Sequence, residues 1–384
     1  MIYLDNAATT SPKPPGVIKA VYNALTTISA NPGRSGHSMS NDAAQMVYEV
    51  RSKAANMFNA PSAESVIFTP NCTSSINYVL KGILRHGNKV LTSSLEHNAV
   101  IRPLTALKGY GIEFDVFEAD IDDEQITLRN FLKTINRDTR MVICTHASNV
   151  TGTVLPIKQI GEYCRQKGIL FAVDAAQSAG IIDIDMQDAC IDYLCVAPHK
   201  GLYAPMGTGM LIIAADLPAT IIEGGTGTES VNLNQPDDMP ERFESGTINL
   251  PGIAGIGAGI DFVKEKGIEK IRNHELKLIK LAHNRLSTIP GIKLYTNQYN
   301  NKASVMSFNI SGINSVAVAN ELNRYSVAVR AGIHCAPFAH KRLGTIDSGT
   351  VRIAPSVFTT EQEIIKATDF VAKIARNSKN SLTF

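Results

Sequence analysis

The sequence predicts an α/β fold, a mostly parallel sheet covered by helices and followed by a smaller α+β region. Between about residues 60 and 215, short apolar runs alternate with stretches of helical periodicity, the pattern of helices laid over a parallel sheet. Several of the runs are apolar throughout rather than alternating, which marks strands buried on both faces. After Pro290 the pattern changes to one alternating strand and one helix, so a second and smaller layer is expected there.

In chain order, 65–69 reads as the first strand and 75–85 as a helix behind it. Strands follow at 89–92 and 140–145, then a helix at 157–167 and strands at 169–173, 191–196 and 209–213. The stretch 223–251 is polar, rich in Gly and Thr and without periodicity, and reads as a long functional loop. A long amphipathic helix is predicted at 268–288, a strand at 303–310 and a helix at 315–323. The last helix opens on Thr360-Glu361-Gln362-Glu363, in which threonine and glutamate can each cap the other's backbone N–H. A domain boundary is placed near 252–270.

Composition narrows the function classes. At 384 residues the chain can bury a large core in two domains. With 44% apolar and 19% charged residues and a net charge of +2, it reads as an ordinary soluble protein without a polyanionic partner. No nucleic acid is expected. No apolar run approaches membrane-spanning length, and Met1-Ile-Tyr-Leu-Asp-Asn6 lacks the basic leader of a signal peptide. The six cysteines have no C-x-x-C spacing, so neither a zinc site nor a disulfide framework is expected, and a reducing cytoplasm fits.

Candidate chemistry gathers at predicted strand ends. Lys200 lies between two apolar runs, in Ala197-Pro-His-Lys-Gly201, and a lysine so placed is a candidate for a Schiff base with a carbonyl. Asp174 ends the strand at 169–173, where a parallel sheet presents groups to a ligand, although an N-cap for a following helix would look the same. A strand-end Asp 26 residues before a strand-end Lys is the layout of a pyridoxal phosphate site. There the carboxylate keeps a ring nitrogen protonated and the amine holds the aldehyde. Asn71-Cys-Thr-Ser-Ser-Ile-Asn77, between a strand and a helix, offers hydroxyls and N–H groups for a phosphate, or merely a helix cap. His97 follows a third strand and could stack on a flat ring. Asn149 follows a fourth and offers an amide to a hydroxyl or a carboxylate.

Taken together, Tyr3-Leu-Asp-Asn-Ala-Ala-Thr-Thr10, Thr73-Ser74, Glu96-His97-Asn98, Ser148 to Gly152, Asp174-Ala-Ala-Gln177, His199-Lys200, Glu244-Ser-Gly-Thr247 and Arg330-Ala-Gly-Ile-His-Cys335 resemble the cysteine desulfurase and selenocysteine lyase family of the class V aminotransferase group. The resemblance runs from residue 3 to Arg352, and only 17 positions separate Cys335 from Arg352, as in the subgroup with a short cysteine loop. It implies the pyridoxal 5'-phosphate-dependent fold type I, with a mostly parallel seven-stranded sheet. It further implies a large coenzyme-binding domain at 15–255 and a small domain made of 1–14 and 256–384 that carries the cysteine loop.

The resemblance assigns the roles. Lys200 would hold the coenzyme aldehyde, Asp174 the ring nitrogen and Gln177 the phenolic oxygen. His97 would stack on the ring and help move protons. Thr73, Ser74 and His199 would bind the phosphate, while Thr247 would reach the phosphate of a neighbouring subunit in a homodimer with shared sites. Arg352 and Asn149 would hold the substrate carboxylate. Lys200 and Cys335 would carry the chemistry, conversion of L-cysteine to L-alanine with transfer of sulfur to Cys335 as a persulfide. A sulfur-acceptor protein or a small thiol would then take it, in iron–sulfur cluster assembly, tRNA thiolation or another thio-cofactor route.

Cys335 has a case of its own. Arg330, His334, His340, Lys341 and Arg342 surround it in sequence, and positive charge favours the thiolate. The stretch 331–350 reads as an exposed loop. The other five cysteines are expected to be buried and inert. No compact ligand spacing supports a metal at His334, Cys335 and His340. Two departures from the family stand out. Ala197 replaces a usual phosphate-binding serine, and Gly201 is an extra glycine after the lysine. The rival readings are a selenocysteine lyase using the same residues with L-selenocysteine, an epimerase or β-lyase of the same class, and a catalytically silent sulfur-carrier scaffold. Cys335 argues against the epimerase or β-lyase, and the intact Lys200, Asp174 and His97 set argues against the silent scaffold.

Overall fold

The structure is a computed structural model that describes residues 1–33, 35–296 and 301–381. The chain opens with β1 (Ile2–Tyr3), α1 (Pro15–Thr26) and α2 (Ser38–Phe58), where the sequence reading assigns no helix. Proline at the first position starts α1. His37 caps α2 by accepting the Ser40 N–H, and Asn59 ends it in a left-handed conformation.

The large sheet then follows: β2 (Val66–Thr69), α3 (Cys72–Ile83), β3 (Lys89–Ser93), α4 (Asn98–Leu107), β4 (Glu113–Phe117), α5 (Glu124–Thr134), β5 (Thr139–Thr145), α6 (Ile157–Lys167), β6 (Leu170–Asp174), β7 (Tyr193–Val196) and β8 (Gly209–Ile213). Its seven strands run in the order β2-β8-β7-β6-β5-β3-β4. Only β8 is antiparallel to its neighbours, so the other six strands point their carboxyl ends to one edge. The sequence reading finds six of the seven strands and misses β4. This strand lies at the sheet edge and alternates exposed and covered residues, so it lacks the apolar run that marks its neighbours.

Alternation along each strand feeds two cores. Phe171 and Val173 of β6 join Val47, Phe58, Ile160 and Ile253 on one face, while Ala172 joins Ile76, Val79 and Leu104 on the other. No helix or strand lies between Ile213 and Leu250, as the long predicted loop requires. Helix α7 (Leu250–Lys266), which falls in the predicted boundary region, packs on α1 and α2, and Ile253, Ile256, Ile260 and Val263 extend the first core. At Gly267, with φ of 84°, the chain turns into α8 (Ile268–Ser287).

The remaining elements are β9 (Ile292–Leu294), β10 (Met306–Ile310), α9 (Ser315–Arg324), β11 (Val327–Ala328), β12 (Arg330–Gly332), α10 (Pro337–Leu343), β13 (Thr350–Ile353) and α11 (Glu361–Ser381). A second sheet, β12-β13-β10-β9, gathers with α8, α9 and α11 around Leu278, Phe308, Val318, Val351 and Val371. The capping box at α11 forms as expected, with Thr360 N bonded to Glu363 Oε2 at 2.8 Å and Glu363 N to Thr360 Oγ1 at 3.3 Å. Strand β1 pairs with β11, which brings the N-terminal segment back across to this second layer.

Candidate active site

Because six strands end on one edge, the residues just beyond them meet. β2 delivers Asn71 to Thr73, β3 delivers His97, β5 delivers Asn149, β6 ends on Asp174 and β7 leads to His199 and Lys200. Together with Arg330 and Arg352 from the second sheet and Ala7 and Ala8 from the N-terminal segment, they line a cavity of about 250 Å³. Lys200, His97, Thr73, Asn149, Asp174, Gln177, His199 and Arg352 all stand on its wall.

Asp174 is buried at 3% exposure. Its Oδ1 accepts the Ala176 N–H at 2.9 Å, and the residues after it form turns, so it is not a helix N-cap. Lys200 is half-buried, and burial lowers its amine below the usual lysine range. Arg352 and Arg330 lower it further, while Asp174 opposes them. The lowered amine gives up its proton more readily, and the free base is the form that attacks a carbonyl. Gly201 also has a structural reason. A Cβ there would sit 2.3 Å from the Ala179 carbonyl oxygen, so only glycine lets the chain after the lysine pass the 179–181 turn.

His97 Nδ1 accepts the Ala99 N–H at 3.0 Å, which leaves the ring proton on Nε2. Burial, followed by Lys200, Arg330 and Arg352, pushes its pKa down to about 4 against the pull of Asp174. His199 Nδ1 lies 3.1 Å from Thr9 Oγ1, and burial, Lys200 and Lys13 bring it to about 4 as well. Both rings are neutral near pH 7. Gln177 donates from Nε2 to the Ala7 carbonyl at 2.9 Å.

Arg352 comes from β13 and pairs in register with Arg330 of β12. Its Nη2 bonds Asp5 Oδ1 at 2.8 Å and its Nη1 the Asn149 carbonyl at 3.0 Å, while Nε is buried without a partner among the described residues. Asn149 also ties down the cysteine loop, since its Nδ2 donates to the His334 carbonyl at 2.7 Å. Asn98 N likewise donates to the Cys335 carbonyl at 2.7 Å. The cysteine loop is thus tied by its backbone to two cavity elements, with His334 and Cys335 both left-handed at φ of 51° and 56°.

Three predicted residues are not on the cavity wall: Cys335, half-buried on its loop, Ser74 and Thr247. Ser74 gives its N–H and hydroxyl to the Asn71 cap, at 2.9 and 3.2 Å. Thr247 is exposed on the long loop, beside a separate depression formed with Phe68 and Tyr78. Ala197 lines the cavity with no hydroxyl to offer.

Three expectations are corrected. Two of the five positive groups read around Cys335 are lost, because His334 and His340 are buried and burial lowers both, His334 to about 2. Arg342 turns instead to Glu118 and Asp120, at 3.4 and 3.3 Å. The stretch 331–350 is not simply a loop, since it contains α10 and has His334 and His340 in its interior. Of the five other cysteines Cys190 is only half-buried, whereas Cys72 is buried as expected, on the cavity wall with Sγ 3.5 Å from Asp174 Oδ1.

Three site residues carry no assigned role in the sequence reading, Asp5, Cys72 and Glu96, and Arg330 figures there only as positive charge near Cys335. Glu96 is wholly buried and accepts the Thr145 N–H on both oxygens, at 2.9 and 3.1 Å, besides the Ser93 hydroxyl. A carboxylate directly before His97, after an apolar strand, was the available signal.

The class-V aminotransferase sequence profile matches residues 2–366. The chain belongs to that family. Among its relatives, a probable cysteine desulfurase of Methanothermobacter thermautotrophicus is 34% identical over 375 residues, covering 94% of this chain and 92% of the relative. A cysteine desulfurase of Yersinia pseudotuberculosis is 34% identical over 88% of this chain and 84% of its own length. The apo cysteine desulfurase of Thermococcus onnurineus superposes with a TM-score of 0.92 at 30% identity, over 98% of this chain and 95% of that one. The CsdA cysteine desulfurase of Escherichia coli, in its S-sulfonic acid form, superposes at 0.85 with 26% identity, over 97% and 94%. Class V membership accords with the seven-stranded sheet and with the site at its carboxyl edge.

Proposed function

We propose that the chain is a pyridoxal 5'-phosphate-dependent cysteine desulfurase that converts L-cysteine to L-alanine and takes the sulfur onto Cys335. The observation that carries the reading is the convergence of Lys200, Asp174, His97 and Arg352 on one cavity to which the Cys335 loop is tied. The similarity to cysteine desulfurases over more than nine-tenths of the chain supports it.

The residues suit the coenzyme. Lys200 has a lowered amine, and the buried Asp174 carboxylate stands ready for a protonated ring nitrogen. The first turn of α3 presents N–H groups with no intrahelical partner, and the Thr73 hydroxyl stands beside them on the cavity wall. When bound, the coenzyme supplies an aldehyde for the substrate amine and a ring that accepts the electron pair left by a broken Cα–H bond.

The chain's own groups do the rest. Arg352 offers the unpartnered Nε–H, together with its guanidinium edge, to the substrate carboxylate, which fixes the Cα–H direction. Lys200 takes the Cα proton and carries it. His97, neutral with its proton on Nε2, is placed to pass a proton within the cavity. Cys335 Sγ attacks the substrate sulfur, so that an S–S bond forms, the Cβ–S bond breaks and Cβ gains a proton to become the alanine methyl group. The persulfide on Cys335 is then open to an acceptor protein or a small thiol.

We further place the enzyme as a homodimer. Ile18, Tyr22 and Leu25 form an exposed apolar stripe on α1, and Val231 and Leu233 stand fully exposed on the loop that carries Thr247. Thr247, off its own cavity, is free to complete a partner's. No helix among the described residues is long and apolar enough to cross a membrane, and all six cysteines are unpaired, which suits the reducing cytoplasm.

The test is incubation with L-cysteine and a reductant, following alanine, sulfide and the mass of the Cys335 peptide together. Lys200→Ala should abolish turnover and the fixing of coenzyme by borohydride. Cys335→Ser should lose alanine formation from L-cysteine yet retain it from L-selenocysteine, whose selenide leaves without a protein nucleophile. Native alanine release from L-cysteine by Cys335→Ser would rule out the persulfide step.

A further inference from the structure

Cys72 is the first residue of α3, 8% exposed, on the cavity wall. Its Sγ lies 3.5 Å from Asp174 Oδ1, within reach of a sulfur hydrogen bond. The same oxygen accepts the Ala176 N–H at 2.9 Å. Two donors therefore meet on Oδ1, while Oδ2 of this carboxylate takes no hydrogen bond from the described residues.

A thiol at a helix N-terminus beside a lysine would ordinarily drift toward the thiolate. Burial and the neighbouring Asp174 act the other way and raise this thiol well above the usual cysteine range, with Lys200 opposing only in part. Cys72 stays an S–H group and can only donate to the carboxylate. It is neither a second nucleophile nor a sulfur acceptor.

We propose that Cys72 is a positioning residue for Asp174, its thiol and the Ala176 N–H together holding Oδ1 so that Oδ2 is left for the protonated ring nitrogen of the coenzyme. This rests on the proposed coenzyme. Oδ1 is shared between two protein donors, which fixes the carboxylate's rotation about its Cβ–Cγ bond. A carboxylate with one donor removed can rotate, and it presents its charge to the ring less steadily.

The test compares Cys72→Ser, which keeps a donor, with Cys72→Val, which keeps the bulk without one, and with Cys72→Ala. Each is stripped of coenzyme and titrated with pyridoxal 5'-phosphate, following affinity and the pH at which the bound chromophore changes its absorption band. Cys72→Ser should stay within about twofold of the parent, while Cys72→Val and Cys72→Ala bind about five- to tenfold more weakly, the scale of one weak donor on a charged acceptor. The chromophore's titration should shift in the same direction in both. A Cys72→Val protein that matches the parent in affinity and band position would overturn the proposal, as would a Cys72→Ser protein as impaired as Cys72→Ala.

A second measurement does not need the coenzyme. In the stripped protein, the infrared S–H band of Cys72, assigned by its loss in Cys72→Ser, should move when Asp174 is changed to Asn. An unmoved band refutes the contact. Failure of any coenzyme to bind at Lys200 would instead count against the proposed function, with the infrared result still deciding the contact.

Discussion

Glu96 carries a stability cost that can be read out by pH. It is fully buried between the ends of β3 and β5, and burial raises its pKa from 4.5 to about 8, with nearby Asp174 pushing the same way. The hydrogen bonds from Ser93 and Thr145 oppose that rise without cancelling it. A native carboxyl that titrates near 8 holds a proton through neutral pH that the unfolded chain has already released. Its contribution is complete below the unfolded value of 4.5 and is lost as pH climbs through 8. A tenfold change in proton affinity corresponds to about 1.4 kcal/mol, so the rise from 4.5 to about 8 is worth on the order of 5 kcal/mol. Glu96→Gln keeps the size and an acceptor for the Thr145 N–H, and it does not titrate. From pH 5 to pH 8 the parent should therefore lose about 4 kcal/mol of stability relative to Glu96→Gln. Glu275, brought to about 8 by its own burial, titrates alike in both proteins and drops out of the difference. Urea unfolding at pH 5, 6, 7 and 8, at equal coenzyme loading, measures it. Parallel stability curves for the two proteins would refute the reasoning.

Two further outcomes follow from particular contacts. Arg352→Lys keeps the charge but cannot span Asp5, the Asn149 carbonyl and a substrate carboxylate together, so KM for L-cysteine should rise about tenfold or more in steady-state assays. An unchanged KM would mean that the substrate carboxylate binds elsewhere. Placing charge on the α1 stripe with Ile18→Glu and Tyr22→Glu should turn a dimer into a monomer by sedimentation and weaken coenzyme retention. A parent protein that already sediments as a monomer would sink the shared-site reading.

Much of the fold was legible because its signals are local. Uniformly apolar strands such as β6 and β7, the α11 capping box and the polar loop before α7 each announce themselves within a few residues. Edge strand β4 did not, since half-exposed strands lose the apolar run. The cavity residues were legible as strand-end side chains, because parallel strands point their carboxyl ends one way. Cys335's surroundings were misread for the opposite reason. Sequence proximity counted His334, His340 and Arg342 as charges facing the thiol, whereas folding buried two of them neutral and turned the third to Glu118 and Asp120.

The sequence by itself determined which residues stand at the strand ends, and with them Lys200, Asp174 and His97, because strand periodicity and chemistry are written along the chain, while Arg352 came from the family resemblance. Only the tertiary structure decided that Cys72 touches Asp174, that Asn149 holds the cysteine loop and that Asp5 occupies Arg352. These pairs lie 102, 185 and 347 positions apart, and burial and charge act through distance in space, which no local pattern encodes.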